Sequence, residues 1–265
     1  MPNNLDRLID GTTKYGGTAI GATVGAGVGS VVAGPLGTAG GALAGAVIEN
    51  IIQWAGNEIK ERCLSRSEAR KVGSVYEKAK EKIEEKLSAG EKLRTDGFIE
   101  GEVDDRSPSE EILEGTLFAA QRENEEKKLP YLANLYANIN FDATVDRNMA
   151  NQLIRIASDL TYRQLAIMRV IGAYQTGNLQ GGPQLRNTPY EVINGYDNVS
   201  IASEVYDLYR RSLVFSQSVI FDAAGINPSK LQISGIGALL YNLMDLPHMP
   251  YDDLTERIIK FLSHK

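Results

Sequence analysis

From Tyr15 to Ile48 the chain carries no charged side chain, and through this stretch glycine recurs every fourth position: Gly17, Gly21, Gly25 and Gly29, then Gly37, Gly41 and Gly45. An uncharged run of this length exceeds the roughly 20 residues that one membrane-spanning helix needs. Gly34-Pro35 interrupts it with a turn signal that stops a helix. The pattern predicts two helices, about Thr13–Ala33 and Leu36–Trp54, joined by a tight uncharged turn. A spacing of four aligns the glycines along one face of each helix. That face lets another backbone approach closely, the small-xxx-small mode of membrane helices. Each glycine costs about 1 kcal/mol relative to alanine in a helix, so seven cost on the order of 7 kcal/mol. Close helix packing in an oligomer is the expected compensation.

The same stretch is only weakly hydrophobic. Ile20, Val24, Val28, Val31 and Val32 are the main apolar residues of its first half, and each favours insertion by only about 0.3–0.6 kcal/mol. A lone helix of this kind inserts poorly, which predicts insertion that is conditional or coupled to assembly. Asp10 and Lys14 precede the hairpin, and Glu49, Glu58, Lys60 and Glu61 follow it. A charge at the bilayer centre costs about 2.5–3.5 kcal/mol, so only the turn crosses cheaply and both ends are expected on the cytoplasmic side. The first residues hold Asp6 and Asp10 and show no basic stretch or small-residue cleavage site. A secretory signal is therefore not expected. The expected location is the cytoplasm, with conditional insertion into the inner membrane.

Beyond Trp54 the pattern changes to that of capped amphipathic helices. Ser65-x-x-Glu68 forms a capping box ahead of Val72, Val75, Ala79, Ile83 and Leu87 at helical spacing. Gly90 and the acidic stretch Asp96–Arg106 read as loop. Ser107, Pro108 and Glu110 start a second helix, expected to run to about Lys128 and to stop at Pro130. Leu132, Leu135 and Ile139 mark a third helix, and Leu153, Ile154 and Ala157 a fourth. Thr161-x-x-Gln164 opens a fifth, and Thr176–Asn187 reads as a linker or long loop. Next come a helix over Ile201–Leu213, a β-like run Val214–Phe221, a turn at Gly225–Lys230, a short run Leu231–Ser234 and a helix from Gly235 to Leu246. Helix, hairpin, helix is the winged-helix layout. A last amphipathic helix is expected over Asp252–Leu262. The expected fold class is mainly α, with a glycine-zipper hairpin over 1–59, a charged helical domain over 60–150 and a winged-helix-like α+β domain over 151–265.

Charge narrows the function. Residues 60–149 carry 16 basic and 20 acidic side chains and residues 150–265 ten of each, within an overall net charge of -6. No broad basic face emerges, so duplex DNA is not an expected partner. Cys63 is the sole cysteine, and both histidines, His248 and His264, lie in the tail. That set offers neither the three or four convergent ligands of a metal site nor a paired nucleophile. Gly25-Ala-Gly27-Val-Gly29 departs from a dinucleotide fingerprint at Ser30 and follows no strand, and no phosphate-loop ending is present. The run Glu123, Glu125, Glu126, Lys127, Lys128 reads as a solvated helix face, and Asp104-Asp105-Arg106 as loop and cap chemistry. No enzyme activity and no cofactor are expected. For an anionic ligand, Arg163, Arg210, Arg211 and Lys230 are the expected contacts, because they cluster in the winged-helix segment and arginine pairs well with phosphate oxygens.

The zipper over Gly17–Gly29 and Gly37–Gly45 resembles the glycine-zipper transmembrane families, over Thr12–Trp54 only. Arg106-Ser107-Pro108-Ser109-Glu110-Glu111-Ile112-Leu113-Glu114-Gly115 and Glu125–Tyr131 are similar to uncharacterised bacterial proteins. The two-part plan resembles membrane effectors of anti-phage systems, including the Hailong type, in which a channel-forming protein is held shut by DNA oligomers. This resemblance implies a homo-oligomeric channel or pore, contact with membrane lipid in the active state, and a single-stranded oligonucleotide or nucleotide ligand. The alternative from the same residues is a soluble oligomeric scaffold or regulator whose glycine segment packs within the assembly without inserting.

Overall fold

The computed structural model describes residues 65–100, 106–179 and 181–263. The glycine repeat, Cys63, Asp104, Asp105 and His264 lie outside the described residues. Within them the chain is mainly helical, with eight α-helices and one small antiparallel sheet. None of these helices is long and apolar enough to cross a membrane. The chain divides into two compact units at Ser158 and Asp159.

In the first unit, α1 (Arg66–Ser88) starts on the expected capping box: the Ser65 side chain accepts from the Glu68 N–H, and the Glu68 carboxylate accepts from the Ser65 N–H. Its stripe Val72, Val75, Ala79, Ile83 and Leu87 is buried against α2 (Pro108–Arg122) and α3 (Leu129–Ile139). Helix α2 has its own box, Ser107 with Glu110, and Pro108 occupies the first turn, where no N–H is missed. Helix α3 is buried along nearly its whole length, including Leu132, Leu135 and Ile139. Helix α4 (Arg147–Asp159) buries Ala150, Leu153, Ile154 and Ala157.

The end of α2 differs from expectation. It stops at Arg122, Glu123 is extended, a 3₁₀ turn covers Glu126–Lys128, and Pro130 opens α3. Lys128 is the cause. Its side chain is 2% exposed, pairs with the Glu123 carboxylate at 9% exposure, and donates to the Ser158 carbonyl at 2.8 Å. A buried ammonium requires such partners, and the chain folds back at 123–125 to supply them. The solvated-face reading holds for Glu125, Glu126 and Lys127, and is corrected for Glu123 and Lys128.

In the second unit, α5 (Tyr162–Gln175) is apolar around most of its circumference, as a central helix must be. Leu165, Ala166, Ile167, Met168, Val170 and Ile171 are fully buried. Around it pack α6 (Tyr196–Arg210), α7 (Ile236–Leu243), α8 (Asp253–Ser263), the second strand and a 3₁₀ turn at Leu246–His248. The sheet pairs β1 (Val214–Ser216) with β2 (Leu231–Ile233), Val214 opposite Ile233 and Ser216 opposite Leu231.

Four boundaries move from their expected places. Helix α6 starts at Tyr196 after Gly195, whose φ of 87° turns the preceding loop into the helix. It ends at Arg210 because Ser212, at φ 58°, reverses the chain into β1. The strand covers only three of the eight residues Val214–Phe221, since the chain beyond Ser216 leaves the ladder to lie along α6. Helix α7 stops at Leu243, two residues before the left-handed Asp245.

Candidate functional site

Between the segment 186–198 and α8, the second unit holds an open cavity of about 600 Å³. Its wall is built by backbone hydrogen bonds that fasten an otherwise irregular segment. The Arg186 N–H donates to the Leu262 carbonyl at 2.8 Å, and the Tyr190 N–H to the Ala224 carbonyl at 2.9 Å. The Tyr190 hydroxyl donates to the Phe261 carbonyl at 2.9 Å, and its ring stacks on Phe261 with centroids 4.8 Å apart. Burial pushes the Tyr190 phenol well above its ordinary range, so it remains a neutral donor.

Three cations line the cavity together with this aromatic pair. Arg186 lies across the Tyr190 ring at 5.0 Å, and its guanidinium donates to the carbonyls of Thr188 and Pro189 at 3.0 Å each. Arg257 and Lys260 project from successive turns of α8. Asn194 and Asn198 add amide groups, with the Asn198 amide donating to the Asn194 carbonyl at 2.8 Å. The cavity has one carboxylate, Asp197, and it is shared between Arg257 at 3.5 Å and Arg163 at 3.7 Å. Lys260 has no hydrogen-bond or ion-pair partner among the described residues. Three cations against one carboxylate leave an excess of about two positive charges, and a cavity of this size suits a small organic molecule. These groups can hold an anion and orient its polar parts.

None of the four cations expected from sequence lines this cavity. Arg163 is fixed on α6: its Nε donates to Glu204 at 2.6 Å, and its Nη1 reaches Asp197. Arg211 pairs with Asp207 at 2.8 Å and reaches Asp159 at 3.8 Å. Both guanidinium groups are thus neutralised by carboxylates. Arg210 is exposed at the end of α6, and Lys230 closes the 3₁₀ turn before β2. Ile233 of β2 donates to the Gln175 side chain at the far end of α5, roughly 18 Å along the helix from Arg163 at 1.5 Å per residue.

Arg186, Arg257 and Lys260 were not singled out by sequence reasoning. One usable signal existed: Arg257, Lys260 and Phe261 fall at helical spacing on one side of an amphipathic helix. Arg186 had none, because a loop residue gains its position from backbone contacts 76 residues away in the chain, at Leu262. Among the described residues no group of three or more His, Cys, Asp or Glu could hold a metal ion. His248 pairs with Asp245 at 2.5 Å. Comparison of the chain with protein-family models, curated proteins and solved structures finds no match.

Proposed function

We propose that the chain is a homo-oligomeric effector that inserts into membranes through its glycine repeat and forms a channel or pore. Its C-terminal unit controls that step by binding a phosphate-bearing ligand, a nucleotide or short single-stranded oligonucleotide. The observation that carries this reading is the 600 Å³ cavity with Arg186, Arg257 and Lys260 at its wall. A marginally inserting segment needs a state-dependent clamp, and a ligand supplies one only by binding the two states with different affinity. The order α6, β1, β2, α7 supports a winged-helix-like use of this unit as a ligand-reading module, with no role in duplex recognition. A function in anti-phage defence follows from the resemblance of the two-part plan.

The test is leakage of ions from vesicles treated with the purified full chain, with and without mononucleotides, single-stranded oligonucleotides or inorganic phosphate. Leakage is expected, lost in Gly21→Leu and Gly41→Leu, and modulated by at least one of these anions. Arg257→Glu with Lys260→Glu should abolish the modulation and leave leakage in place. Binding should weaken steeply with salt, as release of counterions requires. A chain that neither fractionates with membranes nor leaks ions would be the soluble scaffold.

A further inference from the structure

Helix α6 turns toward solvent a side that is usually charged in a monomeric protein. Its buried side is formed by Ile201, Ala202, Val205 and Leu208. At about 100° per residue, the opposite side runs through Tyr196, Val199, Ser203 and Arg210, with Tyr206 at its margin. Tyr196 is 98% exposed and Val199 45%. The ridge continues onto the chain that follows β1. The Tyr206 hydroxyl donates to the Phe221 carbonyl at 2.8 Å, and the Ile220 N–H donates to the Tyr209 hydroxyl at 3.5 Å. This fastening buries Ile220 and turns its neighbours Val219 and Phe221 outward, at 70% and 86% exposure. The ten residues Ser212–Phe221 include no charge, no proline and no glycine, the devices that keep exposed extended segments apart.

We infer that this ridge docks a second copy of the chain, with α6 packing antiparallel against α6 of the copy across a two-fold axis near Ser203. Area is the first argument. At roughly 150–250 Å² per aromatic side chain, Tyr196, Val199, Val219 and Phe221 together present on the order of 550 Å². That is most of the ~800 Å² each partner contributes to a stable complex, and Ser203, Tyr206 and Arg210 extend it. Charge supplies the second argument and selects the partner. Arg210 is exposed at one end of the ridge with no partner among the described residues, and Glu191 is exposed five residues before the other end, at Tyr196. An antiparallel copy sets each Arg210 toward Glu191 of its mate, so the surface is complementary to itself. Ser203, at the crossing point, is small, and its hydroxyl is already satisfied by the Val199 carbonyl at 2.8 Å. Close approach there strands no polar group.

None of the ridge residues Tyr196, Val199, Ser203, Arg210, Val219 and Phe221 lines the ligand cavity or belongs to the glycine repeat, and the test keeps the three apart. The full chain carrying Cys63→Ser and Ser203→Cys is treated with a short bis-maleimide, with Asp253→Cys on exposed α8 as the control. Covalent dimer is expected from Ser203→Cys and not from Asp253→Cys, and it should persist when Gly21→Leu is added. Val199→Asp with Phe221→Asp should remove the dimer. Arg210→Glu should reduce it, and adding Glu191→Lys should restore it. Equal crosslinking at the two cysteine positions, survival of the dimer in the aspartate variant, or its disappearance with Gly21→Leu would each overturn the proposal.

Discussion

Arg94 shows how much one side chain can organise. It is buried, and its Nη1 donates to the carbonyls of Ile139, Asp142 and Val145 at 3.3, 2.9 and 2.7 Å. Its Nε reaches Asp96 at 2.8 Å, and its plane lies 3.9 Å over the Phe98 ring. The guanidinium thus ties the loop after α1 to the end of α3. Lysine cannot reproduce that fork, so Arg94→Lys should unfold the first unit almost as readily as Arg94→Ala. The expected loss is about 3 kcal/mol, the scale for leaving buried polar partners unmet. Glu123→Ala should cost a similar amount by stranding the Lys128 ammonium, and Glu123→Leu with Lys128→Met should recover most of it. Urea unfolding curves of the single and double variants check both statements. Titration gives a further residue-scale outcome. The hydrogen bonds from Ser65, side chain first, hold Glu68 at about 2, down from its ordinary 4.5. In Ser65→Ala, NMR titration should find Glu68 moved up toward that ordinary value.

At the scale of elements, the glycines of the two units separate into different kinds. Gly237 opens the first turn of α7 against the backbone of Leu213, and a Cβ there would lie 1.9 Å from the Leu213 oxygen. Backbone cannot swing aside, so Gly237→Ala should destabilise the second unit by at least the 1–3 kcal/mol, roughly, of an overpacked core. Gly172 of α5 meets the Tyr241 ring, which a Cβ would approach to 2.5 Å. Tyr241 is a half-buried side chain that can shift, and Gly172→Ala should cost less. Gly115 in α2 has room, with the Ile154 methyl at 3.9 Å. There Gly115→Ala should stabilise by about 0.5–1 kcal/mol through helix propensity and reduced unfolded-state freedom. Thermal unfolding should rank the three variants in that order.

For the whole molecule, the dependence of stability on pH follows from carboxylates that move in opposite directions. Desolvation raises Glu77 and Glu84 on α1 above their ordinary 4.5. The folded chain therefore binds protons there more readily than the unfolded one, and stability should rise as pH falls through their raised titration range toward the ordinary one. Hydrogen bonds from Arg94 and Arg147 lower Asp96 and Glu111 respectively, as those from Ser65 lower Glu68. Their contribution is complete above the ordinary carboxylate range and is lost as pH falls below it. Melting temperatures should pass through a maximum on the acid side of neutral, and Glu77→Gln with Glu84→Gln should flatten the high-pH side of that curve.

Local chemistry was legible in the sequence wherever a few neighbouring residues decide the outcome. The capping boxes at Ser65, Ser107 and Thr161 formed as read, because cap and helix are held by hydrogen bonds three residues apart. The apolar stripes of α1, α3 and α4 likewise mark the faces that are buried. The order of elements after Thr161 was also readable, with one strand starting at Val214 and the next at Leu231; their register was not. What the sequence could not show depends on residues far apart along the chain. Lys128 looks like a surface lysine until Glu123 and the Ser158 carbonyl close around it. Arg163 looks like a phosphate ligand until Glu204, 41 residues away, occupies its guanidinium. The cavity exists only because Leu262 and Phe261 accept hydrogen bonds from Arg186 and Tyr190. Helical periodicity and capping act over one or two turns, so sequence reports them directly. The partners of a buried charge, and the walls of a pocket, are set by which distant surfaces pack together, and tertiary structure alone decides that.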